Sequence, residues 1–202
     1  MQHGLLCRIH EGRFFAVLLC AGALAVLAFV AACSTTGEAK TAQSDPVKRG
    51  EYLVTVGGCH DCHSPKVMVD GVPQPDPTRL LSGHPASETM PPLTPEPFDP
   101  HGWMVRTNLN ITAWAGPWGI SYAANLTPHQ VTGSGAWTEE SFIKAMRTGK
   151  HLGAGRPILP PMPWQNLSNM PEEDLKAIFA YMKSLPAIDN MVPQPVPPVT
   201  AQ

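Results

Sequence analysis

Charged side chains are scarce in this 202-residue sequence, where Asp, Glu, Lys and Arg make up 15% of the residues. The formal net charge is -2, and no run of basic residues is longer than Lys48-Arg49. A nucleic-acid-binding protein usually carries a basic patch, and that feature is missing. The sequence also lacks a phosphate-binding glycine loop and a Ser or Cys nucleophile motif. We therefore expect no nucleic-acid partner and no nucleophilic catalysis.

Proline and glycine are abundant instead, with 23 and 17 residues, roughly a fifth of the chain against a typical ~12%. This composition excludes a coiled coil and a long helical bundle. The length and the hydrophobic fraction of 43% are sufficient for one globular domain without disulfide bonds. Five cysteines, at positions 7, 20, 33, 59 and 62, are an odd number, so each needs its own explanation.

The N-terminal segment has the pattern of an export signal, because residues 14–32 contain no charge and Arg8 and Arg13 precede them. Val30-Ala31-Ala32-Cys33 resembles the lipobox of bacterial lipoprotein precursors, which implies a signal peptide over residues 1–32 and lipidation of Cys33. The alternatives are a spanning anchor, for which 19 apolar residues are the lower limit, and a cleaved soluble protein. We expect an exported, periplasm-facing protein anchored to a bacterial membrane.

Three helices are predicted in a domain that covers residues 46–187. Capping residues and helical spacing of apolar residues place them from Pro46 to Val56, from Thr138 to Thr148, and from Pro171 to Leu185. Met146 and Met182 lie on the apolar faces of the second and third helices. We therefore predict that both methionines belong to the hydrophobic core.

The rest of the exported chain has little helical character. Residues 33–45 are small and polar, which predicts a flexible tether. Prolines and tryptophans dominate an insertion at about 65–114. In it, residues 108–114 alternate between polar and apolar and predict one short strand, alone or as half of a small hairpin. The proline-rich residues 188–202 are predicted to form an extended, largely unpacked tail.

A C-x-x-C-H motif formed by Cys59, Cys62 and His63 carries the chemistry, because this is the attachment sequence for c-type haem. In one helical turn residues i, i+3 and i+4 share a face, so both thiols can form thioethers while the imidazole binds the iron. A redox dithiol needs no trailing His and occurs in a βαβ context. A structural zinc site needs further Cys or His ligands nearby. The single motif therefore favours one covalently bound haem c.

The second axial position of the iron decides between electron transfer and catalysis. Met162 lies in a proline-stiffened loop before the last predicted helix, where a side chain can be held with little loss of entropy. We predict that His63 and Met162 are the axial ligands, with Met90 and His151 as alternatives to Met162. The other ring nitrogen of His63 is expected to bond a backbone carbonyl, and a proline carbonyl in residues 73–77 is a candidate.

The order of these features resembles the bacterial class I cytochrome c family, in particular the single-haem modules in cytochrome subunits of periplasmic dehydrogenases. Similar stretches surround the middle helix, at Gly116-Pro117-Trp118-Gly119, Ala124-Asn125-Leu126-Thr127-Pro128, Thr132-Gly133-Ser134-Gly135-Ala136-Trp137 and Arg156-Pro157. The resemblance covers residues 46–187. It implies an all-α fold, with three or more helices around one covalent haem, that carries the long insertion as a loop.

The resemblance also implies roles for individual residues. The implied haem-binding residues are Cys59, Cys62, His63 and Met162. Gly50 and Tyr52 on the first helix would pack against Tyr181 on the last helix.

We expect an electron carrier that is not itself an enzyme. Its redox partners would be a dehydrogenase, another cytochrome or a terminal oxidase, and the insertion would cover part of the haem or form a docking surface. The alternative is a haem enzyme or gas sensor in which the sixth coordination position is open and the insertion builds a distal pocket. A purely structural lipoprotein is a third possibility.

Overall fold

Residues 45–91 and 105–198 are described by a computed structural model. The helices are α1 (Pro46–Val56), α2 (Cys59–His63), α3 (Glu139–Thr148), α4 (Trp164–Leu167) and α5 (Glu172–Ser184), with a 3₁₀ turn at His151–Gly153. The strands are β1 (Lys66–Val69), β2 (Val72–Pro75), β3 (Arg106–Thr107), β4 (Ala113–Gly116) and β5 (Gly119–Tyr122). The predicted signal peptide, most of the tether and Cys33 lie outside the described residues.

The three predicted helices are confirmed as α1, α3 and α5. Asp45 caps α1, because its carboxylate accepts a hydrogen bond from the Val47 amide at 3.1 Å, and Pro46 occupies the first position. Thr138 and Ser141 form a reciprocal capping box at the start of α3. The sequence signals succeeded at these ends because they act locally and do not depend on tertiary packing.

The hydrophobic core lies where α1, α3 and α5 meet. Its buried members are Val54, Leu81, Phe142, Ala145, Met146, Leu175, Ile178, Phe179, Tyr181 and Met182. Met146 and Met182 are therefore core residues, as predicted. The rings of Phe142 and Phe179 stack with centroids 5.4 Å apart, joining α3 to α5.

Gly50 brings α1 and α5 into close contact. A Cβ built on Gly50 would overlap the Ala177 carbonyl and lie 2.7 Å from the Cβ of Tyr181. The expected proximity of Gly50 and Tyr181 is thus confirmed. Tyr52, in contrast, is 57% exposed, and the Arg49 guanidinium lies 5.7 Å from the centre of its ring.

The all-α prediction is not confirmed, because two small antiparallel sheets accompany the helices. β1 and β2 form a hairpin whose turn places Asp70 and Gly71 at positive φ, 50° and 79°, as a two-residue hairpin loop requires. Pro73 and Pro75 lie in β2, where the free edges of a two-stranded sheet tolerate a missing N–H. The prolines of the predicted insertion disfavour a helix, but they do not exclude a strand at a sheet edge.

The second sheet has the order β3-β4-β5 and is antiparallel throughout. The strand predicted at residues 108–114 is only partly correct, since β4 begins at Ala113. Its antiparallel pairing with β5 agrees with the hairpin alternative. Within residues 45–91 and 105–198, no helix is long and apolar enough to span a bilayer.

The prediction of an unpacked C-terminal tail is wrong for the part that the structure describes. Asn190 is 6% exposed, and its amide donates to the carbonyls of Ser82 at 2.7 Å and His84 at 2.8 Å. Farther on, Val196 forms an antiparallel bridge with Ile120 of β5. The tail thus packs on the loop after β2 and on the second sheet.

Candidate haem-attachment site

The predicted attachment residues occupy one helical turn. Cys59, Cys62 and His63 all lie on α2, and both cysteines are free thiols. Gly58, with φ at 65°, caps the N-terminus of α2 in the left-handed conformation that glycine adopts without strain. The i, i+3, i+4 spacing then puts the two thiols and the imidazole on one face of α2, as the motif predicts.

His63 is held from two sides. Its Nδ1 donates to the carbonyl of Ala124 at 2.9 Å, and its own carbonyl accepts from the Gly83 amide at 2.8 Å. The side chain is only 8% exposed, and this burial lowers the pKa of the imidazole, which favours the neutral form that a metal binds. Among the described residues nothing hydrogen-bonds Nε2, so that nitrogen is available to a metal.

The partner of His63 is a backbone carbonyl, as expected, but the candidate residues 73–77 do not supply it. The acceptor is Ala124, just beyond β5. Any residue can supply a backbone carbonyl, so the side-chain sequence carries no signal for this contact. The pairing depends on the second sheet, whose end brings Ala124 against α2.

The environment of the thiols differs from that of a redox dithiol. Burial raises the pKa of the Cys59 thiol to about 11, and it also raises the pKa of Cys62. Reactive dithiols need a depressed pKa, because the thiolate is the nucleophile. In the part of the chain that the structure describes, no three His, Cys, Asp or Glu side chains converge on a metal-ion site. Neither the dithiol nor the zinc alternative gains support.

The Lys66 side chain caps the C-terminal end of α2, a role that we did not predict. Its ammonium donates to the carbonyls of Ser64 at 2.6 Å, Asp61 at 2.9 Å and His60 at 3.1 Å. The carbonyls at a helix end lack intrahelical partners and carry partial negative charge, so a cation there stabilises the turn. A basic residue three positions after the motif is a signal that could have identified it.

Met162 lies in the loop before α4, where its half-buried side chain packs against the hydrophobic core. Cys59 packs against the same core, so the structure brings these two predicted site residues to one cluster. Met90 is also half-buried but does not belong to that cluster. His151 lies in the 3₁₀ turn, with its ring edge-on to Trp137 at a centroid distance of 4.9 Å.

The second sheet lies between the His63 and Met162 segments. At one end Ala124 binds His63, and within β5 the Ser121 hydroxyl donates to the Pro160 carbonyl at 2.6 Å, two residues before Met162. Trp114 pairs with Ser121 across the sheet, and its buried indole N–H has no acceptor among residues 45–91 and 105–198. A buried donor without a partner on this face fits a bound group that carries acceptors. These residues fit haem.

The chain was also compared with known proteins, and no protein-family model matches it. Over 67% of its length it is 30% identical to the gluconate 2-dehydrogenase cytochrome c subunit of Pantoea cypripedii, of which the match covers 22%. Over 78% it is 26% identical to the alcohol dehydrogenase (quinone), cytochrome c subunit, of Gluconobacter oxydans, of which it covers 25%. These similarities support a c-type cytochrome family.

A third relative is a diheme cytochrome c-type protein of Cereibacter sphaeroides. It is 28% identical over 70% of the chain, and the match covers 36% of the relative's own length. The chain thus spans about a quarter of the two dehydrogenase subunits and about a third of the diheme protein. The expectation of a c-type cytochrome is supported in this coarse form. The number of haems, the axial ligands and the lipid anchor stay predictions.

Proposed function

We propose that this chain is an electron-transfer protein that carries one haem c, with His63 and Met162 as its axial ligands. The observation that carries the proposal is the geometry of α2. Cys59, Cys62 and His63 share one helical face, and the Ala124 carbonyl orients the imidazole so that Nε2 is free for iron. When bound, haem supplies an iron that accepts and releases one electron.

The chain's own residues fix the two ligands and limit the access of water. Cys59 and Cys62 would hold the group covalently, so it would not dissociate between partners. His63 is buried and bonded at Nδ1, which would keep its orientation fixed when haem is bound. A thioether from Met162 would close the sixth position and favour the reduced state. The core that Met162 and Cys59 share excludes water from this side.

We further propose a dehydrogenase as the electron donor, because two of the relatives are named as cytochrome subunits of dehydrogenases. Another cytochrome or a terminal oxidase would accept the electron. Lipidation at Cys33 would hold the protein at a bacterial membrane, facing the periplasm, as the lipobox-like residues before Cys33 suggest. A Cys33→Ala variant whose signal segment has been cleaved should then be released in soluble form, and a cleaved variant that stays on the membrane would contradict lipid anchoring.

The pyridine haemochrome spectrum and the mass of the purified protein test covalent attachment. We expect one haem per chain, joined by two thioethers, and incomplete attachment in Cys59→Ala and Cys62→Ala variants. Protein that carries no covalent haem would overturn the proposal and favour a structural lipoprotein.

Binding of carbon monoxide to the ferrous protein tests the sixth ligand. The wild type should bind it poorly at neutral pH, and Met162→Ala should bind it readily. Met90→Ala, at the rival methionine, is the matched control and should behave as the wild type. Ready binding by the wild type would instead support a haem enzyme or gas sensor with an open iron.

A further inference from the structure

Ser121 in β5 connects the second sheet to the loop that carries Met162. Its side chain is 7% exposed, and its hydroxyl donates to the Pro160 carbonyl at 2.6 Å. The indole N–H of Trp118 donates to the same hydroxyl oxygen at 3.1 Å. The Trp118 bond occupies an acceptor site of the hydroxyl, and the single proton goes to Pro160, because the other carbonyl in reach, that of Trp114, is 3.5 Å away.

The same stretch of chain also holds His63. Ala124, whose carbonyl accepts the His63 Nδ1–H, follows Ser121 by three residues, a span of at most about 11 Å. One short segment therefore binds the attachment helix at one end and the Met162 loop at the other.

We propose that Ser121 is a positioning residue for Met162, holding the loop where its thioether can bind the iron opposite His63. The proposal rests on the proposed function, because it requires Met162 to be the sixth ligand. Pro160, Pro161 and Pro163 have no N–H to donate, so this loop forms few backbone hydrogen bonds of its own. The Ser121 hydroxyl supplies a hydrogen bond to this loop from the sheet, at the Pro160 carbonyl.

Loss of the hydroxyl should weaken the iron–Met162 bond without removing the ligand. The Pro160 carbonyl would lose its donor from the sheet, and the loop would move away more often. An exogenous ligand that competes with Met162 would then bind more tightly, because less free energy is needed to displace the thioether.

The experiment is a titration of the ferric holoprotein with imidazole, together with the red charge-transfer band that reports a methionine–iron bond. Ser121→Ala should raise the apparent imidazole affinity roughly five- to tenfold and weaken the band. Ser134→Ala is the matched control, since Ser134 is also buried and donates to a backbone carbonyl, that of Leu126, at 2.7 Å. Its imidazole affinity and band should match the wild type, and Ser121→Thr should restore both.

A Met162→Ala variant shows whether a negative result concerns the role of Ser121 or the assignment of Met162 as the ligand. If it leaves the band and the imidazole affinity unchanged, Met162 is not the ligand, and both the assignment and the role of Ser121 are overturned. If it abolishes the band while Ser121→Ala behaves as Ser134→Ala does, only the positioning role fails. Should Ser121→Ala not fold, Trp118→Phe, which removes the donor that orients the hydroxyl, is judged by the same two readouts.

Discussion

Gly50 of α1 faces the backbone of Ala177 of α5 so closely that no side chain fits between them. A Cβ at Gly50 would overlap the Ala177 carbonyl oxygen and lie 2.7 Å from the Cβ of Tyr181. Contact between these two helices therefore depends on glycine at this position. It also connects the helix that precedes the attachment motif to the C-terminal helix of the core.

Gly50→Ala should destabilise the protein although alanine is the better helix former. The gain in helix propensity is about 1 kcal/mol, whereas overpacking against a backbone carbonyl costs about 1–3 kcal/mol and forces the helices apart. We expect a net decrease in the free energy of unfolding, measured by denaturant titration. Lys48→Ala, on the exposed side of α1, should leave it almost unchanged. A stabilised Gly50→Ala variant would contradict the close packing.

Lys66→Met should destabilise the attachment helix and lower the reduction potential of the holoprotein. The variant loses donors to three carbonyls at the end of α2, at a cost of about 2 kcal/mol. It also removes a positive charge beside the motif, which relieves repulsion of the oxidised iron. Lys183→Met is the control, because Lys183 donates to the carbonyl of Gly135 at 2.7 Å, away from α2. Equal changes of potential in both variants would contradict a local role for Lys66.

Sequence reasoning succeeded where a short stretch of chain determines the outcome. Asp45 and Thr138 cap their helices through neighbouring amides, and the motif from Cys59 to His63 fits one helical turn whatever surrounds it. It failed where the partner is a backbone group brought by distant chain. The Ala124 carbonyl on His63 carries no side-chain signature.

Most of the second sheet was missed for a related reason. β4 and β5 are four residues each, rich in glycine and alanine, and their pairing is a tertiary feature that short-range alternation identifies poorly. Ser121 therefore had no sequence feature that would distinguish it from an ordinary surface serine. Its contact with Pro160 becomes visible only when the sheet is in place.

Acid should remove stabilisation supplied by Glu88. Burial would raise the pKa of this carboxyl, but hydrogen bonds from the side chains of Asn108 and Asn110, at 2.7 and 2.8 Å, outweigh it and hold the pKa below its usual value. A group with a lowered pKa in the folded state stabilises the protein above its unfolded-state pKa, about 4.3 for Glu, and loses that effect as the pH falls through the folded-state pKa. Glu88→Gln should be less stable than the wild type at pH 7, and the difference should shrink below about pH 4. A difference that stays constant with pH, in urea titrations, would contradict this role.

Asn190 should stabilise the loop that supports the histidine of the attachment motif. Its side chain donates to the carbonyls of Ser82 and His84 and accepts from the Ala86 amide at 2.9 Å, and within this loop the Gly83 amide donates to the His63 carbonyl. Asn190→Ala would leave the buried carbonyls of Ser82 and His84 without this donor, at a cost of about 2–3 kcal/mol.

Hydrogen exchange can localise the effect of the Asn190→Ala change. The Gly83 amide should exchange faster in Asn190→Ala, because the loop opens more often when its side-chain contacts to the tail are lost. The neighbouring Asp189 is 76% exposed, so Asp189→Ala should leave both the free energy of unfolding and the Gly83 exchange rate close to the wild type. If Gly83 were protected equally in all three proteins, the tail would have no part in holding His63. Faster exchange in Asn190→Ala alone would assign the last described segment of the chain a role in the site.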